Sequence, residues 1–69
     1  MTDTLRLKAA LVRKGLTIEK LSDMVNLSRM TLSLKINGKR EFKGSEILLM
    51  QDILKISDEE RDLIFLKRC

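Results

Sequence analysis

Apolar residues recur along the chain at helical spacing, in five runs separated by Gly, Asn, Ser or Thr. The first run spans about Thr4 to Lys14. Leu5, Ala9 and Val12 sit at helical spacing there, with Leu7 and Leu11 beside them, and Gly15 supplies a stop. The second spans about Ile18 to Val25, with Ile18, Leu21 and Val25 on one face. Thr17 precedes it as an N-cap, because its hydroxyl can accept from an orphan backbone N–H. Asn26 follows it, a residue that tolerates a left-handed turn. The third spans about Arg29 to Asn37 behind Ser28, with Leu32 and Ile36 inward and Gly38 as its end. Lys39–Gly44 reads as a loop, with Phe42 dropped into the core as an anchor. The fourth spans about Ser45 to Leu54, with Ile47, Met50, Ile53 and Leu54 inward. The fifth begins at Ser57, whose spacing to Glu60 is that of a capping box, and runs to about Leu66. The fold class this predicts is all-α, five helices, in a single domain over 1–69.

The second and third runs are short, and only about three residues join them. Two helices so connected meet at a steep angle, a helix-turn-helix over about 17–38. The second of them then stands out from the body as a rod that fits the major groove of B-DNA.

Charge strengthens that reading. Residues 1–44 hold ten Lys or Arg against four Asp or Glu, and residues 45–69 hold four against six. A basic front and a slightly acidic back suggest one face turned toward a polyanion. Composition removes other classes. Of 69 residues, 43% are hydrophobic and 35% charged, as in a folded domain with one modest core. There is no His, one Cys (Cys69) and no phosphate-binding Gly loop, so neither a metal, a cofactor nor an enzyme is expected. A lone thiol implies a reducing compartment, the cytoplasm. No apolar run reaches the roughly 20 residues of a membrane span.

The residues themselves resemble a family. Gly15-Leu16-Thr17, Leu21, Leu27-Ser28-Arg29, Thr31-Leu32-Ser33 and Asn37-Gly38-Lys39 follow the pattern of the phage repressor and Cro helix-turn-helix family, also called XRE-like. Thr31–Lys39, followed by Glu41-Phe42 and Ser45-Glu46-Ile47, is similar to a subgroup from phages and mobile elements of Gram-positive bacteria. The resemblance covers about residues 5–66. It implies a five-helix lambda-repressor-like domain that binds double-stranded operator DNA, usually as a dimer on two half-sites. Carried over by position, Arg29, Met30 and Leu34 face base edges, with Ser33 beside them. Thr17 starts the helix that lies against the backbone, and Asn37, Lys39 and Arg40 occupy the loop that grips phosphate. The sequence departs from the pattern at Ile18, where Gln is common, at Ser22 for Ala, at Asn26 for Gly and at Leu34 for a polar residue.

Arg29 in a first turn opposes the helix dipole, so capping does not explain it, and reading a guanine does. Met30 and Leu34 leave three readings open: core, contact with thymine methyls, or a protein-binding surface. Ser33 suits a base or a phosphate, and is also ordinary surface filler. Lys35, Lys39, Arg40 and Lys43 form a basic cluster, with phosphate contact for two or three of them. In Leu63-Ile64-Phe65-Leu66, half should close the core and the rest form a dimer contact. The expected function is operator binding, giving repression or switching, by a weak homodimer or one that forms on DNA. The rival is an antirepressor that grips a partner repressor through the same helix.

Overall fold

The computed structural model describes residues 1–66. The chain forms α1 (Thr4–Arg13), α2 (Ile18–Val25), α3 (Arg29–Ile36), α4 (Gly44–Leu54) and α5 (Asp58–Phe65), with no strand among the described residues. Cys69 lies outside the described residues.

Each helix starts where a side chain can receive an orphan N–H. Asp3, Thr17, Ser28 and Ser57 accept from the backbone N–H of Arg6, Lys20, Thr31 and Glu60 at 3.1–3.2 Å. Helix α4 starts differently. Lys43 has no side-chain acceptor, so only the reverse half of a capping box forms, its N–H donating to Glu46 Oε1 at 2.8 Å. Helix α5 has the other half alone. Ser57 caps it, but the Glu60 carboxylate turns away to Arg13 at 2.8 Å, so the full capping box expected there does not form.

The core is one aliphatic cluster. Leu7, Leu21, Leu32, Met50, Leu54 and Ile64 are fully buried, and each contributes roughly 1.5–3 kcal/mol by leaving water. Phe42 reaches in from the loop after α3, as expected, and meets Phe65 edge to face with centroids 5.2 Å apart. Helix α2 packs on α3 and α4, while α1 packs on α3 and α5.

The first apolar run holds two sets of residues at helical spacing, and packing selects between them. Leu7, Ala10 and Leu11 face the core, whereas Leu5 and Val12 are each 79% exposed and Ala9 is exposed with them. Both sets are apolar and spaced at three and four residues, so period alone does not choose between them. The described part of the last apolar run divides as expected: Ile64 and Phe65 are buried, Leu63 and Leu66 exposed.

Candidate nucleic-acid interface

Three residues, Asn26 to Ser28, connect α2 to α3. Asn26 takes the left-handed conformation, φ 56° and ψ 45°. Its N–H and that of Leu27 both bond to Ser22 O, the latter at 3.1 Å, which closes the end of α2. Leu27 packs against the core and pins the turn. Ser22 is buried, and its hydroxyl donates to Glu19 O at 2.8 Å. It thereby occupies a small, internally satisfied position where the family commonly has Ala. Ile18 is half-buried against the core.

Helix α3 divides its residues cleanly. Leu32 and Ile36 are buried, with Lys35 beside them. Arg29 is exposed and Met30 is 77% exposed, which removes the core reading of Met30. Ser33 lies one turn on from Arg29, half-buried. Leu34 is half-buried as well, less open than a free base-reading position. Asn37 is exposed, but its amide N–H₂ is engaged. It donates to Ser33 O at 2.8 Å and to Ser33 Oγ at 3.3 Å, so these two expected contact residues form one unit.

Beyond α3 the chain turns through Gly38 at φ 77°. A Cβ there would sit 3.3 Å from Thr4 Cγ2, so glycine serves both the backbone angle and the close approach of α1. The N–H groups of Lys39 and Arg40 return to Leu34 O at 2.8 and 3.3 Å, holding the loop against the helix end. Lys39, Arg40 and Lys43 are exposed. Among the described residues, Arg29, Lys39 and Arg40 make no ion pair. Thr17 is exposed at the start of α2, its Oγ1 already accepting from Lys20 N–H.

Lys35 does not belong to the basic cluster in which the sequence placed it. Its side chain is 7% exposed and its ammonium bonds to Glu46 Oε1 at 2.5 Å. A buried cation on the core side of α3 is out of reach of a phosphate on the outward side. Glu46 gathers three stabilising partners: the Lys35 ammonium, the Lys43 N–H and the Lys43 charge. Burial alone would raise its pKa, but those contacts outweigh it and hold the carboxyl below its ordinary 4.5. The pair ties the end of α3 to the start of α4. Its signal in the sequence was weak, since a Lys and a Glu eleven residues apart lie on different helices.

The arrangement is a short, well-capped helix presenting Arg29 and Met30 outward, with exposed cations in the loop that follows. Two helices, a three-residue turn and a rigidly packed second helix define a helix-turn-helix DNA-binding domain. Residues 7–61 match the family model described as helix-turn-helix, and the chain belongs to that family, with the lambda-repressor-like fold of the XRE type. No curated protein and no solved structure gives a significant match. Membership makes the chain a DNA-binding transcriptional regulator of a typically non-enzymatic family. No helix among the described residues is long and apolar enough to cross a membrane.

Proposed function

We propose that the protein is a Cro- or repressor-like regulator that binds a specific double-stranded operator and blocks the promoter it covers. The observation that carries this is the outward side of α3. Arg29 and Met30 are exposed there, Arg29 without an ion pair among the described residues, while the opposite side is locked into the core. Arg29 reads a guanine through its two-pronged guanidinium, and Met30 lies against a thymine methyl. Ser33 bonds to an adjacent base edge or phosphate, and half-buried Leu34 contributes apolar surface at the margin of the reading face. Thr17, Asn37, Lys39, Arg40 and Lys43 hold phosphates and set the register. The protein acts as a weak pair on two half-sites in the cytoplasm of a bacterial host. The motif Thr31–Lys39 supports a place in the subgroup from Gram-positive phages and mobile elements.

Selection of bound sequences from random duplexes at physiological salt tests this. Recovery of one motif, with a guanine whose selection disappears in Arg29→Ala, is the expected result. Equal retention of all sequences would overturn it.

A second reading has its own observation. An apolar residue as open as Met30, beside Leu34, also suits a protein surface. On that reading the chain is an antirepressor that covers the DNA-binding face of a partner repressor. A gel shift on the chain's neighbouring promoter, with and without that repressor, separates the two. Specific retardation by the chain alone supports the operator reading; retardation altered only in the mixture supports the antirepressor.

A further inference from the structure

Helices α1 and α5 run antiparallel along one side of the molecule. Asp3 N–H donates to Ile64 O at 2.6 Å at one end, and Arg13 pairs with Glu60 at 2.8 Å at the other. Between them lies an open groove of about 270 Å³, lined by Arg6, Ala9, Arg13, Glu60 and Ile64. The same two helices carry exposed apolar residues: Leu5, Ala9 and Val12 on α1, and Leu63 on α5 with Leu66 at its C-cap, 52% and 55% exposed. Singly exposed leucines require no partner, but these form two adjoining stripes. The charges around the stripes are opposite. Helix α1 has three cations and no acid, whereas α5 has four acids and one cation. First-turn acids favour the start of α5 itself, which accounts for their position but not for the leucines beside them.

We infer that two copies of the chain meet on this face, α1 of each lying across α5 of the other. The inference rests on the reading of the protein as a pair, and it specifies the contact. A two-fold axis along the groove places both crossed contacts at once, as a closed dimer requires. The two alternatives set like charges together, because α1 on α1 faces cations with cations and α5 on α5 faces acids with acids. Only the crossed arrangement joins apolar stripe to apolar stripe with opposite charges around them. Lys8 and Glu59 are exposed and make no ion pair in their own chain among the described residues, so both are available for a partner. The molecule's larger extents are 27 and 23 Å, so a flat face offers on the order of 600 Å² per copy, the low end for a specific interface.

Sedimentation of the whole chain at low salt tests the contact, with circular dichroism confirming that each variant is folded. Lys8→Glu and Glu59→Lys should each weaken self-association by roughly tenfold, and the double variant should recover most of it. Leu5→Asp should weaken it without recovery. Stronger association in either charge variant alone would mean that like helices face each other, and would overturn the inference. A monomeric wild type at about 1 mM chain, the weak limit of useful affinity, would overturn it too. The DNA reading is judged separately, by binding of a single half-site. Retained half-site binding by a strictly monomeric protein sinks the pairing alone, whereas a folded wild type that binds no duplex sinks the operator reading itself.

Discussion

Lys35 and Arg29 are six positions apart on one helix and have opposite fates. Arg29 is exposed without an ion pair among the described residues, while Lys35 is sealed against Glu46. Sequence reading treats all cations near a recognition helix alike, because the partner that claims one of them comes from another helix. Phe42, by contrast, was legible: a lone aromatic in a polar loop has few other roles. The distinction is measurable. Arg29→Ala should weaken operator binding by about 1–3 kcal/mol and relax selectivity at one base position, read by titration against single-base variants. Glu46→Gln should leave the Lys35 ammonium buried without a counter-charge and destabilise the fold by roughly 3 kcal/mol in a denaturant titration at neutral pH. The Glu46 carboxyl is held below its ordinary value, so its stabilisation is complete above pH 4.5 and is lost as pH falls through the lowered folded value. Acid unfolding of the wild type should therefore be steeper below that point than in Glu46→Gln. Parallel acid profiles would show that the pair is not linked to folding.

Among the elements, helix boundaries were the most readable feature, because caps are local chemistry. Thr17, Ser28 and Ser57 all accept the N–H three residues on, as their positions foretell. Two features depended on information beyond a single segment. Helix α1 offered two apolar stripes, and only packing on α3 and α5 chose Leu7–Ala10–Leu11. Helix α4 ends at Lys55 in the left-handed conformation, φ 53°, where a lysine gives no sequence signal. Glycine removes the Cβ strain there, so Lys55→Gly should stabilise by about 1 kcal/mol and raise the melting temperature by roughly 4–8 °C. An unchanged or lower melting temperature would place the lysine's worth in contacts of its side chain. At Gly38 the same backbone angle is already met by glycine, and Gly38→Ala should be destabilising, since its Cβ would also press on Thr4.

For the whole molecule, the excess of Lys and Arg over residues 1–44 points to a polyanion partner, and family membership bears that out. Salt titration identifies the cations that meet phosphate. Lys39→Ala and Arg40→Ala should each lower the slope of log K against log salt by about 0.9, and the loss should be similar for specific and unrelated duplexes. Lys35→Met should leave that slope unchanged, because its charge already has a protein partner. A slope lowered equally by Lys35→Met would contradict the separation between an inner and an outer side of α3.

That separation has a further consequence for how such a protein changes over time. Leu32, Lys35 and Ile36 hold the helix in place, and none of them is among the residues proposed to touch DNA. Arg29 and Met30 can therefore be exchanged together while the scaffold keeps its melting behaviour, since open positions rarely shift stability by more than about 0.5 kcal/mol. New target preferences are accessible by few mutational steps, without passing through unfolded intermediates.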